Sequence, residues 1–448
     1  VEADMVEVII QKKVNLKINP ETKHEEILGS FIGKDYYDRV IQEDCDLYAW
    51  NATGENNEDN LIFKFRKNVF TKEEQDAAYA GLREAAVESQ NRGMAAGPRG
   101  DMLGSANRGG RDWVTPYHHD ILEFFTSKDN PIFQDETVET IRAKHKSGAV
   151  KDETRGQVWL RSEVCKHYPE YHGWFDKWVD GLHNLSKEEQ YVEAKNVVDN
   201  YISETNYAQS VMSGIAGYFD RYPRIPYGRA TSYTEKHYDT FAKSYPYLQK
   251  LNEQFRELIP NRWKAQREHA DKVDPRFLIS DTVFTTLTVN HNWRTACHRD
   301  AGDLTVGFSN ICGVTGPEGK GWRGGQFILP EYNIAINLQP GDMLLVNNHE
   351  GIHANDELIG DDNDRMTIVA YFREKMVTLR SWKYENLRKQ FVDERRLDKA
   401  HPLQRPLWNG VSPDMWRSQE WADYLAAHDM VDEDGLIEEK STLEGFFS

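Results

Sequence analysis

Between residues 283 and 372 the chain is a succession of short apolar runs cut by turn signals, and this pattern restricts the fold most. Val283-Phe284-Thr285-Thr286-Leu287-Thr288-Val289 is rich in β-branched residues and reads as a strand. Leu304 to Val314, Gly325 to Leu329, Ile334 to Leu338, Met343 to Asn347 and Met366 to Phe372 follow as further strands. Gly324-Gly325 and Pro340-Gly341-Asp342 mark turns between them. Such a block suits a double-sheet jelly roll.

The surrounding chain reads differently. Val6 to Ile10 and Leu61 to Phe65 are candidate strands, and Thr71-Lys72-Glu73-Glu74 opens a helix with a capping-type Thr, running to about Ser89. A stretch rich in Gly and Arg follows from Asn91 to Gly110, with Arg92, Arg99 and Arg108 within it and Arg111 directly after it. Residues 117–275 read mostly as helices, including Lys187 to Ile202 and Tyr247 to Ile259. The expected class is α+β: a double-stranded β-helix core with N-terminal, inserted and C-terminal helices. The expected divisions are 1–115 (mixed, with the Arg/Gly-rich loop), 116–280 (mainly helical), 281–376 (catalytic β core) and 377–448 (helical, with an acidic tail).

Composition narrows the function classes. The 448 residues include 12 Trp, 21 Tyr and 19 Phe, which argues against disorder. No apolar run approaches the roughly 20 residues of a membrane span, and no secretory leader is read at the start. Cys45, Cys165, Cys297 and Cys312 are widely spaced, as free thiols in a reducing compartment would be. A cytoplasmic (or nuclear), non-secreted protein without a membrane or protein partner is expected. The net charge of −18 is unfavourable for a nucleic-acid partner, but it is unevenly placed. Residues 411–448 hold ten Asp/Glu against two Lys/Arg, whereas 375–399 hold eight Lys/Arg against four Asp/Glu.

Within the β block lies His298-Arg299-Asp300. Residues i and i+2 of a strand point the same way, so His298 and Asp300 can share one metal. A second histidine completes a two-histidine, one-carboxylate set, the donor set of mononuclear Fe(II) oxygenases, which leaves positions open for a cosubstrate and O2. His349 and His353 compete for that place; His353 is nearer Arg365. Arg365 and Thr367 alternate to one face of a strand. An Arg fork and a hydroxyl are suited to the far carboxylate of 2-oxoglutarate. The competing role for Arg365 is an ion pair with Asp361, Asp362 or Asp364. Two other His-x-Asp triplets, His118-His119-Asp120 and His237-Tyr238-Asp239, lie in segments that read as helical and lack a downstream Arg at a fitting distance. A carboxylate at Asp300, rather than a small residue, favours hydroxylation over halogenation.

Thr285 to Asn290, Arg294 to Asp303, Gly307-Phe308-Ser309-Asn310, Gly324-Gly325-Gln326-Phe327, Pro340-Gly341-Asp342, His349 to Asn355, and Arg365 with Tyr371 to Lys375 together resemble the TET/JBP oxygenase family. The match covers about 280–380, with weaker echoes at Arg92-Gly93 and Gly228 to Thr231. The resemblance favours His353 as third ligand. It implies Fe(II) and 2-oxoglutarate as cofactors, O2 as cosubstrate and DNA as partner. The reaction it implies is hydroxylation of the 5-methyl group of thymine or 5-methylcytosine. The base would leave the duplex and be held by its Watson–Crick edge. Asn290, Asn292, Arg294 and Asp303, beside the matching motifs, are the candidate substrate contacts. A small molecule or free nucleoside is the alternative substrate, which the acidic charge favours.

Overall fold

The computed structural model describes residues 6–20, 23–89, 92–97, 211–221, 225–300, 302–397, 416, 418–428 and 430. The strands among them are β1 (Glu7–Gln11), β2 (Arg39–Ile41), β3 (Cys45–Ala49), β4 (Leu61–Arg66), β5 (Glu88–Ser89), β6 (Val211–Arg221), β7 (Ile225–Ala230), β8 (Thr286–His291), β9 (Ser309–Val314), β10 (Phe327–Leu329), β11 (Ile334–Ile336), β12 (Met343–Val346), β13 (Ala354–Asn355) and β14 (Met366–Tyr371). The helices are α1 (Lys72–Leu82), α2 (Ser232–Lys236), α3 (Tyr238–Ala242), α4 (Tyr245–Leu258), α5 (Pro260–Ala270), α6 (Trp382–Leu397) and α7 (Gln419–Ala427). None of the described helices is long and apolar enough to cross a membrane.

These residues divide into two compact units. The first runs to residue 97 and resumes over 211–220 and 228–382. Its large sheet has the order β1-β3-β4-β12-β9-β14-β8-β6-β5, with β7 on β6; its small sheet has the order β13-β10-β11-β2. Pairing is antiparallel except for β1 with β3 and β11 with β2. In the second unit Tyr227, Leu387, Phe391, Val392, Trp416, Trp421 and Leu425 form a core.

Strand periodicity sorts the first unit into layers. Leu287 and Val289 of β8, Met366, Ile368 and Ala370 of β14, and Met343 and Leu345 of β12 join the cluster that also holds Leu248, Leu251 and Phe255 of α4. The alternate residues of β12, Leu344 and Val346, pack with Phe63 and Phe65 of β4 against Phe327, Leu329, Ile334 and Ile336 of the small sheet. The large sheet is thus backed by helices and faced by the small sheet, an arrangement of mixed sheets plus helices. The Thr71 capping box is present: Thr71 accepts from the Glu74 N–H, and Glu74 accepts from the Thr71 N–H at 2.8 Å.

Three expectations need correction. The β core is not confined to 281–376, since β1 to β4 and β6 pair into the same sheets. Within the stretch expected to be mainly helical, 211–221 and 225–230 are strands. Read alone, Val211 to Arg221 has no clean alternation; its partner is β8, with Ser213 opposite Asn290 and Gly217 opposite Thr286. That pairing joins segments far apart in sequence, which no local pattern reports. The early helix ends at Leu82 rather than near Ser89, where a 3-10 turn and β5 take over. The Lys187–Ile202 helix, the His118–Asp120 triplet, Arg99, Arg108 and Arg111, and most of the acidic tail lie outside the described residues.

Candidate active site

His298 and His353 meet where two short extended segments touch. Each donates its backbone N–H to the other's carbonyl at 3.0 Å. Cys297 on one segment, and Ile352 and Ala354 on the other, bury themselves in a small apolar cluster. Alternation then directs both imidazoles the opposite way. Asp300 follows His298 by two residues, and its N–H donates to the Asn348 carbonyl at 3.0 Å.

The donor atoms of His298, Asp300 and His353 all lie within 4.8 Å of one another, the one such trio among the described residues. His298 Nε2 is 3.3 Å and His353 Nε2 is 3.8 Å from the Asp300 carboxylate. Each ring is oriented from behind: His298 Nδ1 is 2.7 Å from the Ala296 carbonyl, and His353 Nδ1 is 3.1 Å from the Gly351 carbonyl. A carbonyl acceptor selects the Nδ1–H tautomer, which leaves Nε2 as a free donor for a metal. Phe327 stacks on His353 at 5.3 Å. Burial, with His298 beside it, lowers His353 to about 4, so it is neutral at pH 7. Burial pushes the Asp300 carboxyl up, but the two histidines and an Asn348 hydrogen bond outweigh it and hold the group at about 2. A neutral imidazole at His353 and an ionised carboxylate at Asp300 are protonation states that metal binding requires.

The trio lines a pocket of about 650 Å³ between the sheets. Arg365 and Thr367 line the same pocket. Arg365 is 3% exposed, and burial lowers its pKa to about 10. It forms no ion pair with any described residue; Nη1 donates to the Trp293 carbonyl at 3.3 Å, and Nε has no partner. Asp364, the nearest rival for it, is taken up by His291 at 3.0 Å, the Gly316 N–H at 2.7 Å and the Tyr79 hydroxyl at 3.1 Å.

The four candidate substrate contacts divide. Asn290 and Asp303 line the pocket. Asn290 Oδ1 accepts from Ser213 Oγ at 2.7 Å, and Asp303 accepts from Ser309 Oγ at 3.1 Å. Burial, with Asp300 nearby, raises the Asp303 pKa well above its ordinary value. Asn292 and Arg294 do not line the pocket. At Asn292 the chain enters the left-handed region (φ +46°), ending the alternation that β8 had kept. Its side chain caps Arg365 instead, accepting the Arg365 N–H at 2.8 Å. Arg294 donates to the Ile32 carbonyl at 2.9 Å and lies over Phe31. His349 is likewise outside the trio, 3.5 Å from Thr305 Oγ1.

The pocket also holds Arg92, Thr288, Tyr371 and Arg373, which the sequence reading left without roles. Counting by twos from Arg365 along β14 and beyond reaches Tyr371 and Arg373, and counting back from Asn290 reaches Thr288. Arg92 had no such signal, because its segment reaches the pocket only through the fold. Arg373 Nε donates to Asp220 at 2.9 Å.

Arg299, between the ligands, grips Glu25 with both Nη atoms, at 3.1 and 2.6 Å. This hydrogen bond holds the Glu25 carboxyl at about 2 instead of 4.5. Because the folded value is depressed, the pair's stabilisation is complete above pH 4.5 and is lost as pH falls through about 2. Melting curves of wild type and Glu25→Gln should therefore differ most above pH 4.5 and converge toward pH 2. A gap that stays constant over that window would refute this account of the Arg299 anchor.

Residues 214–374 match the family model Tet_JBP, described as the oxygenase domain of the 2OGFeDO superfamily. Thymine dioxygenase JBP1 of Leishmania infantum is 35% identical over 172 residues, covering 37% of this chain and 20% of that protein. Its namesake from Leishmania tarentolae is 36% identical over 169 residues, covering 36% and 19%. The chain thus spans about a fifth of the length of these curated relatives. A solved structure described as NgTET1 in complex with 5mC DNA aligns over 77% of this chain and 84% of that one, at 11% identity and a TM-score of 0.34, a level that does not establish a shared fold.

Proposed function

We propose that this chain, which carries a Tet_JBP-type oxygenase domain over residues 214–374, is an Fe(II)- and 2-oxoglutarate-dependent dioxygenase that hydroxylates the 5-methyl group of a pyrimidine in DNA. One observation carries the reading. A two-histidine, one-carboxylate trio shares a pocket with a buried arginine that has no anionic partner among the described residues. Burying an uncompensated guanidinium is costly, and an anionic cosubstrate offsets that cost. The two facing sheets support a double-stranded β-helix as the core, extended beyond 281–376 by the N-terminal strands and β6. Thymine is the first candidate base, because the matching relatives are named thymine dioxygenases.

Each residue then has a task. His298, Asp300 and His353 hold the metal, with the carbonyls of Ala296 and Gly351 fixing the rings. Arg365 and Thr367 hold the distal carboxylate of 2-oxoglutarate. The bound iron and 2-oxoglutarate supply the O2-dependent oxidising chemistry. Asp303 and Asn290 offer hydrogen bonds to an extruded base, and Tyr371 offers an aromatic face. Phe327, Ile311, Leu338 and Val369 keep water from the pocket's apolar walls. The net charge of −18 favours a second reading, the same chemistry on a free nucleoside or other small molecule.

The test is anaerobic loading with Fe(II) and 2-oxoglutarate, then O2 with duplexes containing thymine or 5-methylcytosine. Mass spectrometry would read the nucleosides, with His298→Ala as control. One oxygen gained on either base, absent from the control, is the expected result. Succinate formed while both duplexes stay unchanged would overturn DNA as substrate and favour the second reading.

A further inference from the structure

On the side of the large sheet away from the pocket, a chain of hydrogen bonds runs from the end of α1 to the residue before Arg365. Strand alternation sets the two sides. Thr288 and Asn290 of β8 line the pocket, whereas Leu287 and Val289 join the helix-backed core. His291, the last residue of β8, continues the core-facing set. Its Nδ1 is 3.0 Å from Arg83 Nη2, and its Nε2 is 3.0 Å from Asp364 Oδ1. A guanidinium only donates, so Nδ1 accepts, and Nε2 carries the proton and donates to Asp364. Burial lowers the His291 pKa, with Arg83 adding to the effect, so the ring is neutral at pH 7. The Asp364 carboxylate also accepts from the Tyr79 hydroxyl at 3.1 Å and from the Gly316 N–H at 2.7 Å. A Cβ at Gly316 would lie 2.7 Å from Asp364 Oδ2, so this approach requires glycine.

Asn292 grips the same loop from the next position. Its N–H donates to the Arg365 carbonyl at 2.9 Å, its Oδ1 accepts the Arg365 N–H at 2.8 Å, and its Nδ2 donates to the Asn363 carbonyl at 2.6 Å. His291 and Asn292 thus hold three consecutive residues, Asn363, Asp364 and Arg365. The Arg365 side chain has one hydrogen bond among the described residues, to the Trp293 carbonyl at 3.3 Å. Its direction therefore depends on the backbone that carries it. We propose that His291 is a positioning residue for Arg365: by bridging Arg83 to Asp364, it fixes the backbone that aims the guanidinium into the pocket. The inference rests on the 2-oxoglutarate role given above to Arg365. Without the bridge, Arg83 and Asp364 each lose a partner, and the loop is released at the residue next to Arg365.

The test is calorimetric titration of the full chain with 2-oxoglutarate, after loading with Mn(II) and without O2. The wild type should bind at one site, and Arg365→Met should not bind. His291→Leu should weaken 2-oxoglutarate about tenfold while Mn(II) affinity stays within about twofold of wild type. His291→Gln should recover 2-oxoglutarate affinity to within about threefold of wild type, because one amide can donate to Asp364 and accept from Arg83. If His291→Leu does not fold, Arg83→Met breaks the bridge at its other end and carries the same expectation. A folded bridge-breaking variant within about twofold of wild type for 2-oxoglutarate overturns the positioning role, and so does an equal loss of Mn(II). His291→Gln as weak as His291→Leu overturns the bridge. Those outcomes leave the role of Arg365 standing. No binding by the wild type, or binding retained by Arg365→Met, overturns the cosubstrate reading and this inference with it.

Discussion

Arg365→Met should abolish productive binding of 2-oxoglutarate and, at the same time, raise the melting temperature of the ligand-free protein. The two effects have one cause. Arg365 is buried at 3% exposure with no ion pair among the described residues, and burial has already lowered its pKa to about 10. In the absence of an anion, the cation is a burden on the fold, and an apolar side chain of similar length relieves it by about 1–3 kcal/mol. In the cosubstrate role proposed for it, the same cation would make buried charge-assisted hydrogen bonds to 2-oxoglutarate. Losing them costs about 3 kcal/mol, on the order of a 100-fold rise in KM for 2-oxoglutarate. Arg365→Lys should recover little, because a single ammonium cannot reproduce the planar fork. Steady-state kinetics against 2-oxoglutarate and thermal melts of the ligand-free proteins check both halves. A variant that keeps its KM would remove Arg365 from the site, and a lower melting temperature would show that the guanidinium has a structural partner.

His353→Ala should reduce metal-dependent turnover on the order of 1000-fold or more, whereas His349→Ala should stay within about tenfold of wild type. Both histidines follow β12, only four positions apart; in the sequence His353 is favoured by its nearness to Arg365 and by the family resemblance. The geometry separates them. His353 Nε2 lies 3.8 Å from the Asp300 carboxylate, its ring is held from behind by the Gly351 carbonyl, and Phe327 stacks on its face. His349 faces Thr305. With two of three donors left, the His353 variant cannot define an open metal face. Metal titration beside a succinate assay distinguishes a lost site from a misplaced substrate. The reverse ranking of the two variants would reassign the third ligand.

The pocket-facing residues of β8 and β14 were readable because a strand exposes alternate residues to each side. Thr367 follows from Arg365 by that rule, and Asn290 lies on the same face as Thr288. The rule fails at Asn292, where a left-handed residue ends the strand, and the two candidates at that break, Asn292 and Arg294, turn to structural bonds. Arg92 and Asp220 could not be placed at all. They reach the site through contacts with residues that follow them by more than a hundred positions.

The amino-acid sequence by itself determined the chemical kinds of the site: an imidazole and a carboxylate two residues apart, a later imidazole, and an arginine heading an apolar strand. These depend on local spacing, and strand geometry turns spacing into direction. The tertiary structure alone decided that Arg365 has no counter-ion among the described residues, that Asn292 and Arg294 turn away from the pocket, and that N-terminal strands and β6 join the sheets. Those outcomes depend on burial and on backbone pairing between distant segments, and both arise only when the chain has folded around them.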